Sequence, residues 1–171
     1  IAIAAPEEVS SPEYQAELSS LKSTIANLSG DQREAVDYWT NNPILRWNEI
    51  ALEMAAKYNL IPGPNADGTY TLPNAATPQG PPPFPFAHPA YTCRALAYLS
   101  VAQFDGLITA WNYKYRYNRP SPSKVDNTIE PAYGETDLPS YPSDGAVIAE
   151  ASRAILTAMF PLEKDFLQAK A

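Results

Sequence analysis

Three long cationic side chains sit inside a run of aromatic residues, Trp111-Asn112-Tyr113-Lys114-Tyr115-Arg116-Tyr117-Asn118-Arg119-Pro120. A guanidinium grips a phosphate-like oxyanion through two parallel N–H bonds, and an ammonium adds a compact point charge. Lys114 and Arg119 are five positions apart, roughly 140° around a continuous helix, so on one helix they would not share a face. Pro120 pushes Arg119 out of helical geometry, which lets its guanidinium swing back toward the lysine. The plainer alternative is a helix end whose Lys and Arg complement the negative pole of the macrodipole, with half-buried tyrosines around them.

A second stretch, Leu138-Pro139-Ser140-Tyr141-Pro142-Ser143-Asp144-Gly145, reads as a stiff loop turning into a helix. A helix start exposes unpaired backbone N–H groups and partial positive charge, which attract anions. Ser143 can donate its hydroxyl and Gly145 allows close approach to the backbone. The expected oxyanion cradle is therefore Lys114, Arg119, Ser143, Asp144 and Gly145. Against it stands the simpler role of Ser143 or Asp144 as a helix cap, and the Asp144 carboxylate repels a bound anion.

Helices must position these groups. Ser10-Ser11-Pro12-Glu13 has the Ser-x-x-Glu pattern of a capping box, followed by Tyr14, Leu18, Leu21, Ile25 and Leu28 at helical spacing up to Gly30. A shorter helix is expected from Asp31 to Thr40, and another from Pro43, with Ile44, Trp47, Ile50, Ala51, Met54 and Tyr58 as its apolar face. From residue 60 to 89 the periodicity stops. Turn residues Asn65-Ala66-Asp67-Gly68 and the tract Gly80-Pro81-Pro82-Pro83-Phe84-Pro85-Phe86 predict a long proline-rich, extended loop. Pro89 opens the longest helix, with Ala95, Leu96, Leu99, Ala102, Leu107, Ile108 and Trp111 available to a core, ending by Asn118. A second loop runs to Pro142. A helix from Ser143 to Phe160 presents Val147, Ile148, Ala151, Ile155, Leu156 and Met159, and Pro161 starts a last one with no stop signal before Ala171. No period-2 pattern occurs, so the expected class is all-α, a helical bundle with long proline-rich loops. One helical domain spanning 1–171 is expected, truncated at its C-terminal side.

The chain has 171 residues and a formal net charge of -7, which opposes broad binding to nucleic acid. No apolar stretch reaches membrane-spanning length. The opening Ile-Ala-Ile-Ala-Ala resembles the tail of a cleaved export signal, so an extracytoplasmic location is expected. Cys93 reads as a small buried hydrophobe, and Asn27-Leu28-Ser29 as a chance sequon in a helix. Glu130, Glu135 and Asp137 read as solvated loop carboxylates. His88 is the single histidine and reads as a helix-start residue. No zinc pattern, Walker loop or nucleophile elbow occurs.

In their order, these pieces resemble the superfamily of type-2 phosphatidic acid phosphatases, bacterial acid phosphatases and vanadium-dependent haloperoxidases. Residues 97–126, "AYLSVAQFDGLITAWNYKYRYNRPSPSKVD", look like the first-motif helix of its bacterial haloperoxidase-like branch, and "YPSDGAVIAEASRAILTAMFP" like the second. The resemblance implies a helical bundle in which Lys114 and Arg119 hold phosphate or vanadate oxygens. Ser143, with the amide at position 145, would complete the cradle. It also implies a partner that is an oxyanion or phosphate-containing small molecule, with no cofactor for a phosphatase and vanadate for a haloperoxidase. The family's first motif places six residues between Lys and Arg, where this chain has four. Asp144-Gly145 stands where the family has Gly-His, and the third motif, with its second arginine and its histidine, is missing. A phosphomonoester cannot be split by that route without a histidine nucleophile and a proton donor. The expected function is thus the anion-binding portion of a phosphatase- or haloperoxidase-like protein, inactive as this chain alone and completed by a C-terminal remainder. The alternatives are a non-catalytic phosphate-binding or structural module, and an interaction module built on the proline tract.

Overall fold

A computed structural model describes residues 2–59, 64–69, 87–134 and 136–171. Within these residues the chain is all-α, with seven α-helices, one 3-10 turn and no strand. The helices are α1 (Pro12–Ala26), α2 (Gly30–Thr40), α3 (Pro43–Tyr58), α4 (Pro89–Tyr117), α5 (Pro122–Val125), α6 (Asp144–Met159) and α7 (Lys164–Lys170), the last preceded by the 3-10 turn Pro161–Glu163. The proline tract 80–86 and Glu135 lie outside the described residues. The Asn65–Gly68 turn lies inside them. Gly68 has φ +80° and its N–H donates to Asn65 O at 2.9 Å, a left-handed position that favours glycine.

Two compact units are present, one of Ile1–Pro43 with Leu107–Val147 and one of Ile44–Gly106 with Ile148–Ala171. In the first, Ser11 caps α1, its Oγ accepting from Tyr14 N at 3.1 Å. This corrects the capping-box expectation, because Pro12 at the first helical position places the cap at Ser11 and not at Ser10. The reciprocal box belongs to α2. Ser29 Oγ accepts from Gln32 N and Gln32 Oε1 accepts from Ser29 N, an arrangement that satisfies two donors at once. Asn27, expected within a helix, is the C-cap of α1. Tyr14 and Leu18 meet Ile129 in a small core flanked by Val9, Ile25 and Val125. The loop after α4 contains α5, which the sequence reading left as irregular. The loop is tied down by Lys22–Asp126 at 3.0 Å and Lys124–Asp137 at 2.9 Å, so Asp137 has a partner.

In the second unit, α3 buries Trp47, Ile50, Ala51, Met54 and Tyr58, the face its period predicts. Helix α6 contributes Ile148, Ser152, Leu156 and Met159. Phe160, fully buried, stacks on Tyr58 at 5.7 Å and meets Tyr91 edge-on at 6.0 Å, a geometry that adds to area burial. Pro161 ends α6 because it has no N–H for the ladder. The N-terminal end of α4 begins at His88, whose Nδ1 accepts from Tyr91 N at 3.4 Å.

The buried stripe of α4 differs from the apolar one. Tyr91, Ala95, Leu99, Gln103, Ala110 and Lys114 are buried, whereas Ile108, expected in the core, is exposed. Successive i+4 steps advance the buried face around the helix until it meets Gln103, whose Nε2 donates to Ser152 Oγ at 3.0 Å and whose Oε1 accepts from Asn48 at 3.3 Å. Cys93 is also exposed, since it lies on the far side of α4 from this stripe.

Candidate oxyanion site

The five predicted residues all lie in the first unit. Helix α4 ends at Tyr117, and Asn118 takes a left-handed φ of +47°, a conformation asparagine tolerates better than most residues. This turn carries Arg119 off the helix, as Pro120 requires. Chain 139–144 is then stitched onto 114–120. Ser140 N donates to Arg119 O at 2.9 Å and Ser140 Oγ to Pro120 O at 2.9 Å. At the other end, Lys114 Nζ donates to Pro139 O at 2.7 Å and stands 3.4 Å from Asp144 Oδ1.

Lys114 is 5% exposed, and the Asp144 side chain 41%. The ammonium is therefore lodged among protein groups while its counter-ion keeps contact with water. Trp111 lies 5.9 Å from the same nitrogen, within reach of a cation–π attraction. Arg119 is held differently. Its guanidinium carbon lies 4.6 Å from the centre of the Tyr14 ring and 5.4 Å from that of Tyr141. Its Nε is buried without a hydrogen-bond partner, and Arg119 enters none of the ion pairs among the described residues.

Ser143 caps α6, its Oγ accepting from Ala146 N at 3.2 Å and its carbonyl accepting from Val147 N at 3.1 Å. Gly145 is helical, with space around it. A Cβ there would meet nothing nearer than Ser143 Oγ at 3.8 Å, so no steric demand calls for glycine. Lys114 and Asp144 are thus brought together and joined by Pro139, while Arg119 is tied to the same loop through Ser140 and Tyr141. Sequence reading missed the tyrosine clamp and the Pro139 carbonyl, because both depend on contacts between distant segments.

Two hydroxyls extend this cluster to the start of the chain. Tyr117 donates to Ile3 O at 2.5 Å and Tyr141 to Ala4 O at 3.2 Å. A separate apolar groove of about 310 Å³ is walled by Leu21, Ile25, Leu28, Val36, Ile129 and Ala132, and none of the five predicted residues lines it. Among the described residues no group of His, Cys, Asp and Glu is arranged to hold a metal ion, and no helix is long and apolar enough to cross a membrane. The described residues are all-α, with Lys114 paired to Asp144 at a helix start and Arg119 held against Tyr14 and Tyr141. Comparison with models of known families, with curated proteins and with solved structures finds no match to this chain.

Proposed function

We propose that the chain is the oxyanion-binding portion of an acid-phosphatase- or haloperoxidase-like protein, with Lys114, Arg119 and Ser143 facing phosphate or vanadate. The observation that carries this reading is the charge balance of the cluster. Asp144 pairs with Lys114 alone, and among the described residues Arg119 enters no ion pair, in a chain whose net charge is -7. The Arg119 guanidinium lies against the rings of Tyr14 and Tyr141 with its buried Nε unsatisfied, and a guanidinium fork suits a tetrahedral anion. Asp144, open to water, can leave Lys114 when a stronger anion arrives. Hydrolysis is not assigned to this chain, since Gly145 supplies no proton donor and His88 serves the start of α4.

The test is titration of inorganic phosphate and of orthovanadate into the chain, followed by amide chemical shifts. Saturable shifts at residues 143–147 and 119, weakened at least tenfold by Arg119→Gln, are expected. Shifts absent up to tens of millimolar phosphate, or unaltered by Arg119→Gln, overturn the assignment. A second reading, a structural helical module without a ligand, draws on the engagement of Ser143 with Ala146 and of Lys114 with Pro139. That reading predicts no saturable binding of phosphate or of orthovanadate.

A further inference from the structure

Helix α4 is apolar on two opposite sides. Opposite the buried stripe lie Tyr98, Val101, Phe104, Ile108 and Tyr115, each between 53% and 64% exposed. With 100° per residue, the exposed set centres roughly 160° from the buried one, so no single core can cover both.

The spacing of this outer face is specific. Ala97, Val101, Phe104, Ile108, Trp111 and Tyr115 follow one another at intervals of four, three, four, three and four. That is the 3.5-residue seam by which one helix packs along another, narrower than the stripe of a helix on a globular core. We infer that α4 pairs through this seam with α4 of a second copy of the chain, the two helices antiparallel.

Three features select that occupant and that orientation. An antiparallel pair centred near residue 106 sets Ala97 against Tyr115, Val101 against Trp111 and Phe104 against Ile108, an aliphatic residue opposite an aromatic one at every level. In a parallel pair, aromatic would face aromatic and aliphatic would face aliphatic. Charge decides the same way. Arg116, exposed in the last turn of α4, would stand beside its own copy in a parallel pair and at the opposite end in an antiparallel one. The area is sufficient. Val101, Phe104, Ile108 and Tyr115, each slightly more than half exposed, together with Ala97 and the half-buried Trp111 offer on the order of 500 Å² per copy, so about 1,000 Å² for the pair, the lower limit of specific interfaces.

Sedimentation of the chain from about 1 to 300 µM is expected to show a reversible monomer–dimer equilibrium. Phe104→Glu should abolish it with helical circular dichroism retained, and Leu52→Glu, at an exposed position on α3, should leave it unchanged. A monomer throughout, or a dimer indifferent to Phe104→Glu, overturns the pairing; if Phe104→Glu loses helicity, Ile108→Glu is read in its place. Cys93, the single cysteine and exposed, reports orientation. Nitroxides attached there should lie about 40 Å apart, since 26 residues of rise separate them along the pair, and a separation of about 15 Å would overturn the antiparallel arrangement.

Discussion

The carboxylate of Asp144 stands 3.4 Å from the buried ammonium of Lys114, so the first residue of α6 neutralises the last buried position of α4. On the proposed oxyanion reading, a ligand would have to displace this internal anion. Asp144→Asn removes the competitor while preserving size, and is expected to tighten phosphate binding about threefold to tenfold, the scale of a partly exposed ion pair. Calorimetric titration at low ionic strength measures it, and an unchanged or weakened affinity would show that Lys114 does not face the ligand.

Lys114→Met should be destabilising for a different reason. The buried Pro139 carbonyl loses its donor, and an unsatisfied buried acceptor costs about 1–3 kcal/mol. Urea unfolding should therefore show a clear drop for Lys114→Met and little change for Asp144→Asn.

The start of α6 separates capping from ligand contact. Ser143→Ala deletes the acceptor for Ala146 N and should lower stability by about 1 kcal/mol. Gly145→Ala should raise it by about 0.4–1 kcal/mol, since the position is helical and open. A destabilised Gly145→Ala in urea titration would contradict the open geometry.

The pin formed by Lys57, Tyr58 and Glu163 makes stability pH-dependent. Burial alone would raise the Glu163 carboxyl, but hydrogen bonds from Lys57 and Tyr58 and the Lys57 charge outweigh it and hold the group below its ordinary value. Its contribution is complete above the unfolded value, near 4.3, and is lost as pH falls through the lower folded value. For Tyr58, burial first and then the Glu163 hydrogen bond and charge push the phenol well upward. That contribution is present in full below about pH 10 and declines as pH rises toward the folded value. Asp126 adds to the acid side, brought down to about 2 by the Thr128 hydroxyl, the Thr128 amide and Lys22. Glu163→Gln should make both limbs shallower in chemical denaturation between about pH 2 and 11, with the Asp126 part of the acid limb and the burial part of the alkaline limb retained. Identical profiles for the variant and the parent chain would refute the assignment.

Gln103 tests the buried polar link in the second unit. Gln103→Ala leaves a cavity and strips Ser152 of its donor, so a loss of about 2–4 kcal/mol is expected, against about 1 kcal/mol for Ser152→Ala. Equal losses would mean that the link, and not the volume of the glutamine, is what the position supplies.

Much of this protein was legible from residue order alone, because helix period, prolines and caps act over a few residues. The all-α class, the stop of α4 before Pro120, the α6 start at the Ser143 cap and the buried face of α3 are local consequences of that kind. The buried face of α4 was not. Both of its sides are apolar, and only packing against Asn48 and Ser152 decided that Gln103 goes inward and Ile108 outward. The same holds for the cluster at residues 114–144. Composition and spacing placed two cations near a helix start, but where each charge ended depended on distant partners. Lys114 went to Pro139 and Asp144, and Arg119 went between Tyr14 and Tyr141. Side-chain charges find their partners through space, and that distance is unrelated to separation along the chain.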